Sequence, residues 1–327
     1  MSKSKYEIQW VEKYRPKSWK DIVLEHSTME RLKRIDKSKN MPNLLIAGPP
    51  GTGKTTTAYC CCRALLGEHC DDGTLKLNGS DERGTKVVKQ VISHFCKKRT
   101  NIDKKKWADH KIIIIDEVDN MTPKAQQMIS NLMREYYNTT RFIFLCNDSS
   151  KILEAIQSNC IILRYKRLCS GNMKKRLKYI CKTEKLHYSK DGLESLILTT
   201  EGDMRKAINN LQLLKNGIGS VTVQSVYDLC DTPNMILIKS IIDHCGAGNV
   251  VKALESVKYM YDKGYSTLDI SLGLFACIKI GERLKISDDL QYLYGDIISK
   301  ACMVISEGIA TELQIIACIC RMADAHS

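Results

Sequence analysis

Residues 48–55 read Gly48-Pro49-Pro50-Gly51-Thr52-Gly53-Lys54-Thr55, the most informative segment of this chain. It matches G-x-x-x-x-G-K-[ST], a loop whose backbone N–H groups surround phosphate oxygens. Glycines suit such a loop because a Cβ would obstruct the approach of successive N–H groups to an anion. Lys54 is expected to reach the β- and γ-phosphates, and the Thr55 hydroxyl is expected to ligate Mg²⁺. The stretch, with Thr56 after it, therefore predicts a nucleotide-binding site.

A second motif follows downstream, where the apolar run Ile112–Ile115 ends in Asp116 and Glu117. A short apolar run without alternation is typical of a parallel strand buried on both faces. Such a strand would end beside the phosphate loop, so Asp116 is predicted to hold Mg²⁺ and Glu117 to activate the attacking water. The two motifs together predict hydrolysis of ATP.

The surroundings of both motifs indicate an α/β fold with a parallel sheet. Thr55–Leu66 reads as a helix whose positive dipole end would point at the phosphates. Further helices are predicted at Lys86–Phe95 and Pro123–Tyr137. The predicted strands are Asn43–Ala47, Leu75–Asn78, Lys111–Asp116, Arg141–Asn147 and Ile161–Tyr165.

After Tyr165 the pattern is helical, and no further strand is predicted. Three helices follow, around Met173–Ile180, after Ser189 and from Gly202 to Gly217. Pro233 marks a joint, and beyond it amphipathic helices are predicted at Met235–His244, Val250–Tyr261, Leu268–Leu284, Leu290–Ser306 and Glu312–Ala325. The sequence thus predicts an α/β nucleotide-binding domain at 1–165, a helical lid at 166–231 and an all-α domain at 232–327.

The composition limits the class of partner. Fifty Lys and Arg residues against 37 acidic residues give a net charge of +13, which favours a surface that holds phosphates of nucleic acid or of a membrane. No uncharged apolar stretch approaches the roughly 18 residues that span a bilayer, so a membrane partner is not expected. The 15 cysteines lack zinc-finger spacing and are interpreted as reduced, small apolar residues.

Several segments, taken in order, resemble one family. They are Trp10–Pro16 (WVEKYRP), the phosphate loop, Leu77–Gly84 (LNGSDERG), Asp116–Asp119 (DEVD) and Gly202–Ala207 (GDMRKA). The combination resembles small subunits of replication factor C, the eukaryotic clamp loader, which is a family of AAA+ ATPases. The resemblance implies an AAA+ P-loop domain, a helical lid and an all-α collar that joins a heteropentamer of loader subunits.

The resemblance also implies roles for single residues. Asn147 would be a first sensor that orients the attacking water, and Arg205 a second sensor that reaches the phosphates from the lid. Val11, Arg15 and Val23 would line the adenine side, although Trp10–Pro16 reads equally well as an ordinary packing segment.

The implied partners are a sliding clamp and primer–template DNA, and the implied location is the nucleus. Arg83, Lys89 and Lys151 occupy positions that would contact DNA phosphates, with exposed surface charge as the alternative. The end of the helix at 90–95 would contact the clamp or, alternatively, pack in the core.

The chain departs from the family at two places. Small subunits carry Ser-Arg-Cys before the last strand of the sheet, and that arginine completes the ATP site of the neighbouring subunit; this chain has Ser158-Asn159-Cys160. Met128–Asn131 likewise replaces a segment with paired arginines. The chain is therefore expected to hydrolyse its own ATP and to contribute little to its neighbour's site, unless Arg164 or Lys166 substitutes.

Other functions stay open at this point. The chain could bind ATP as a mainly structural loader subunit, or it could be another AAA+ motor such as a Holliday-junction branch migration helicase. A P-loop kinase of small molecules would leave the helical tail and the basic charge without a purpose.

Overall fold

The computed structural model describes residues 8–19, 21–80, 85–98, 106–229, 235–280 and 287–325. The chain divides into two compact units, Met1–Val226 and Tyr227–Ser327. The finer division into domains 1–165, 166–231 and 232–327 stays a prediction.

The first unit contains a five-stranded parallel sheet and a pair of very short strands. The strands are β1 Leu44–Ala47, β2 Thr74–Asn78, β3 Lys111–Asp116, β4 Thr140–Cys146, β5 Ile161–Arg164, β6 His187–Tyr188 and β7 Ser220–Val221. The helices of this unit are α1 Trp10–Lys13, α2 His26–Ser38, α3 Lys54–Leu66, α4 Cys70–Gly73, α5 Thr85–Lys97, α6 Pro123–Glu135, α7 Glu154–Gln157, α8 Ser170–Thr183, α9 Lys190–Thr200 and α10 Met204–Gly217. A further helix, α11 Val223–Leu229, begins in this unit and ends in the second.

The order of the large sheet is β2-β3-β4-β1-β5, with all neighbours parallel. The five predicted strands are confirmed with shifts of one residue at some ends. The side chains of Ile112–Ile115 are fully or almost fully buried, alternately against α3 on one face and against α5 and α6 on the other. Because β1, β3 and β4 are parallel neighbours, their carboxyl ends meet at one edge of the sheet, and the phosphate loop begins there.

A helical lid, which we define as α8, α9 and α10, follows the sheet. Hydrogen bonds from Gly192 N–H to Ser189 Oγ and from Lys206 N–H to Asp203 Oδ1 cap α9 and α10, the helices predicted after Ser189 and from Gly202. The expectation that strands stop after Tyr165 is wrong, since β6 and β7 pair in parallel beside the lid. Two-residue strands are too short to show the alternation by which a strand is recognised in a sequence.

The second unit is helical over its described residues. Its helices are α12 Met235–Gly246, α13 Val250–Asp262, α14 Thr267–Ile280, α15 Asp288–Ser306 and α16 Glu312–Asp324. They match the predicted helices, except that residues 281–284 of the predicted third helix lie outside the described residues. The fully buried side chains of Ile242, Tyr294 and Ile319 belong to one core that all five helices share. Over the described ranges, no helix is both long enough and apolar enough to cross a membrane.

Candidate nucleotide site

The phosphate loop turns sharply between β1 and α3. Gly51 and Gly53 have φ angles of +68° and +92°, a region that favours glycine over residues with a Cβ. Lys54 opens α3 and donates from its ammonium group to the carbonyl oxygens of Gly48 (2.6 Å) and Pro49 (2.9 Å). Burial lowers the pKa of Lys54, and the nearby Asp116 carboxylate opposes that shift. The loop therefore holds a half-buried cation at the start of a helix, which is an arrangement suited to phosphate.

Two oxygen donors lie side by side next to this lysine. The Thr55 hydroxyl donates to Asp116 Oδ2 at 3.1 Å, and both residues line the same cavity. Mg²⁺ prefers a few oxygen ligands of this kind together with phosphate oxygens and water. The hydroxyl and the carboxylate thus fit the predicted magnesium site.

Glu117 has a left-handed backbone, with φ 53° and ψ 45°, which is uncommon for a residue other than glycine. Its carboxylate Oε2 accepts hydrogen bonds from the Ser80 hydroxyl and from Asn120 Nδ2 (3.3 Å). Gly79 passes so close that a Cβ there would lie 2.3 Å from the Glu117 carbonyl oxygen. The segment after β2 therefore fixes both the backbone and the carboxylate of Glu117.

Asn147 follows β4 at the same edge. Its Oδ1 accepts from the Lys54 ammonium at 2.8 Å, and its backbone N–H donates to Asp119 Oδ2 at 3.1 Å. Asn147 is therefore held between Lys54 and Asp119, with its side-chain amide beside the lysine ammonium. Ser80, Asp119 and Asn120 were not named as site residues from the sequence, although Ser80 and Asp119 lie in two of the quoted motifs.

The remaining walls of the cavity come from the amino-terminal segment and the lid. The predicted residues Val11, Arg15 and Val23 line it, together with Pro50–Thr56 and Arg205. Sequence reasoning missed further lining residues, which are Tyr14, Pro16, Asp21, Ile22, Leu168, Arg176, Met204 and Ile208.

The lid touches the phosphate loop directly. The Met204 N–H donates to the Gly51 carbonyl oxygen at 3.2 Å, and a Cβ on Gly51 would lie 1.8 Å from Asp203 Oδ1. The start of α10 thus lies on the loop, and Arg205 follows immediately.

The predicted DNA contacts lie outside this cavity. Lys89 is exposed on α5 and Lys151 is exposed in the short 3-10 turn Ser149–Lys151, while Arg83 lies outside the described residues. On α5, Ile92 is fully buried in the core, whereas Val91 and Phe95 are partly exposed in a shallow cleft beside Leu75. One face of α5 packs in the core, as one alternative expected, and another face presents apolar surface, as the other expected. Contact of that surface with a clamp stays a prediction.

Asn159 lies in the turn between α7 and β5. Its side chain is exposed and donates from Nδ2 to the Ala155 carbonyl oxygen at 2.8 Å. Arg164 and Lys166 are exposed farther along. The position at which the resemblance implies an arginine thus carries a neutral side chain that bonds to α7.

Comparison with protein families gives two matches. Residues 44–168 match the ATPase family associated with various cellular activities (AAA), and residues 233–321 match the replication factor C C-terminal domain.

Individual relatives match almost end to end. Replication factor C subunit 4 of Schizosaccharomyces pombe is 45% identical over 98% of this chain and 92% of its own length. Replication factor C subunit 4 of Saccharomyces cerevisiae is 41% identical over 97% of this chain and 96% of its own length. A probable replication factor C subunit 2 of Dictyostelium discoideum is 43% identical over 88% and 84%.

Among solved structures, the Thermotoga maritima RuvB Holliday junction branch migration motor is similar, with a TM-score of 0.57 over 70% of this chain and 80% of that one. Its sequence identity of 14% shows the fold alone.

Proposed function

This chain belongs to the replication factor C family, and from that membership we propose that it is an ATPase subunit of a clamp loader that opens a sliding clamp and places it on primer–template DNA. The AAA match supports nucleotide binding and ATPase activity in general. We also propose that this chain assembles with other loader subunits into a heteropentamer. Its proposed location is the nucleus, because the similar replication factor C subunits of the two yeasts are eukaryotic replication proteins.

The convergence of Lys54, Asn147 and the Thr55–Asp116 pair at one sheet edge carries the proposal. Lys54 binds the terminal phosphates, exchanging its bonds to loop carbonyls for bonds to phosphate oxygens. Thr55 and Asp116 hold Mg²⁺, which when bound neutralises charge on the phosphates. Gly51, Thr52, Gly53 and Thr56 provide backbone N–H groups for the same phosphates. Pro49 and Pro50 have no N–H, and the Gly48 N–H donates to the Cys146 carbonyl oxygen, so these three residues shape the loop.

Glu117 is proposed as the base that takes a proton from the attacking water. Ser80 and Asn120 both donate to its Oε2, so Oε1 is the oxygen proposed to accept the proton from the water. Asn147 orients that water, and Arg205 contacts the phosphates from the lid. The intact Glu117 favours this reading over a structural subunit that binds ATP without hydrolysis.

The transition state needs a cation from a neighbouring subunit in this proposal, because an arginine finger contributes roughly 10³–10⁵-fold to phosphoryl transfer. We therefore expect the isolated chain to bind ATP but to hydrolyse it slowly, and the assembled loader to hydrolyse it fast. Single-turnover hydrolysis of both forms tests this, with Glu117→Gln as the control that keeps binding and removes the base. Rapid hydrolysis by the purified monomer would contradict the dependence on a neighbour.

Asn159 leads to a second proposal, that this subunit adds little to its neighbour's ATP site. A neutral amide cannot compensate charge that develops on phosphate, so Asn159→Arg is expected to raise hydrolysis at the neighbour's site by at least about tenfold. Asn159→Gln is the neutral control and should change nothing. An unchanged or lower rate in the Asn159→Arg loader would refute the idea, and a loss of activity in Arg164→Ala or Lys166→Ala would show that a nearby cation substitutes.

A further inference from the structure

The amino-terminal arm, which we define as Trp10–Tyr14, is attached to the lid. The Trp10 N–H donates to Gln212 Oε1 on α10 at 2.9 Å, and the Lys215 ammonium lies 5.1 Å from the centre of the Trp10 ring. Arg176 on α8 donates to the Tyr14 carbonyl oxygen at 2.8 Å. Trp10 is almost fully buried, so this contact is part of the packing of the unit.

One acidic residue of the lid connects these elements. Glu184 follows α8 directly, and its side chain is 7% exposed. Oε1 accepts hydrogen bonds from the Lys13 ammonium and the Tyr14 hydroxyl, and Oε2 accepts from the Lys215 ammonium at 2.6 Å. Both oxygens of this nearly buried carboxylate are thus hydrogen-bonded, and two of the three donors belong to the arm. A buried carboxylate without such partners would lose its hydration without compensation, which costs free energy.

Burial by itself would raise the pKa of Glu184. The hydrogen bonds from Lys13, Lys215 and Tyr14 outweigh that effect and lower the pKa to about 2. The carboxylate is therefore ionised at neutral pH, and charge-assisted hydrogen bonds of this kind are stronger than neutral ones.

The chain leaves the lid for the sheet immediately after the arm. The Arg15 guanidinium lies 5.8 Å from the centre of the Tyr59 ring on α3, and the Pro16 carbonyl oxygen accepts from the Cys60 thiol at 3.5 Å. Val11, Tyr14 and Arg15 line the nucleotide cavity at this crossing. One wall of the cavity is consequently held by the lid through Glu184, whereas the phosphate loop joins β1 to α3 and meets the lid through the Met204–Gly51 hydrogen bond.

We propose that Glu184 is a positioning residue for the nucleotide base: it holds the arm on the lid and thereby shapes the wall formed by Val11, Tyr14 and Arg15. The proposal rests on the proposed function, in that a nucleotide occupies this cavity with its base toward the arm. In this proposal the base is recognised by residues that depend on Glu184, whereas the phosphates are bound by residues that do not. A mutation of Glu184 can therefore weaken one set of contacts and leave the other unchanged. Loss of Glu184 weakens the contacts to the base and leaves those to the phosphates in place.

The test compares two ligands on the full-length chain, ATP and inorganic tripolyphosphate, which lacks the base. Glu184→Ala is expected to weaken ATP binding roughly tenfold, because a charge-assisted hydrogen bond contributes about one such factor. Binding of tripolyphosphate should stay within about twofold, since its proposed contacts come from the loop and from Arg205, and Glu184 bonds to neither. Glu184→Gln, which keeps the shape and one acceptor, should lie between the wild type and Glu184→Ala.

Two further variants control for folding. Glu194→Gln breaks the Lys174–Glu194 ion pair inside the lid without touching the arm, and both affinities should remain at the wild-type value. Lys13→Met removes a half-exposed partner from the arm side, so it is expected to reproduce the selective loss of ATP binding even if Glu184→Ala is poorly folded.

Three results would overturn the inference. They are equal losses of both ligands, unchanged ATP binding in Glu184→Ala, or loss of ATP binding in Glu184→Ala with full retention in Lys13→Met. A wild-type chain that binds neither ligand would instead refute the proposed function from which the inference starts.

Discussion

At the scale of single residues, the site depends on close packing around the catalytic candidate Glu117. Its left-handed backbone conformation costs about 1–3 kcal/mol and is maintained by contacts with neighbouring groups. Gly79 is the closest of these, donating its N–H to the Asp116 carbonyl oxygen at 2.7 Å.

Gly79→Ala is therefore a sharp test of this packing. The added Cβ would meet the Glu117 carbonyl oxygen at 2.3 Å, a backbone atom that cannot rotate away. We expect hydrolysis by the assembled loader to fall by about 10²-fold, the typical cost of a displacement near 1 Å, with ATP binding unchanged. Gly171→Ala, where a Cβ meets nothing within 4 Å, is the matched control. Normal hydrolysis by Gly79→Ala would show that the contact is not needed.

At the scale of elements, a buried lysine connects β3 to the end of α5. Lys111 opens β3, and its ammonium donates to the carbonyl oxygens of Phe95 (2.6 Å), Cys96 (3.2 Å) and Lys98. It also lies 5.1 Å from the centre of the Phe95 ring. The last carbonyls of a helix lack partners within the helix, and a cation at that end is favourable.

Lys111→Met should leave these three carbonyls, which are at least partly buried, without that donor. The expected loss in the free energy of unfolding is about 1–3 kcal/mol, measured by urea denaturation of the full chain. Lys124→Met on the exposed side of α6 should change it by no more than about 0.5 kcal/mol. If the two variants were equally stable, Lys111 would not stabilise the end of α5.

At the scale of the whole molecule, the second unit presents apolar surface to solvent within its described residues. Leu268, Leu272 and Phe275 on α14 are 39%, 51% and 41% exposed, at spacings that place them on one face. Contiguous exposed apolar surface of this kind marks interaction sites, and the proposed collar would cover it.

Leu272→Lys is accordingly expected to reduce incorporation of this chain into a heteropentamer, with the helical content of the free chain unchanged. Native mass measurement of the co-expressed subunits would show the loss, and circular dichroism would check the fold. A closed ring of six identical chains in that measurement would favour a branch-migration motor and contradict the loader.

Short-range patterns of glycine, apolar residues and helix caps were enough to predict the phosphate loop, the strand that ends in Asp116, the parallel sheet and the helices of the lid. The sequence also placed Lys54, Thr55, Asp116 and Asn147 at one sheet edge, because parallel strands end together.

Only the tertiary structure decided which distant side chains support that site. Glu184 bonds to Lys13 and Tyr14, which are more than half the chain away in sequence. Ser80, after β2, bonds to Glu117, which follows the neighbouring strand β3. Such pairs follow from how the elements pack, so no local pattern reports them. The two-residue strands β6 and β7 were not predicted for a related reason. They are strands because they pair with each other, and neither sequence is long enough to show a strand pattern.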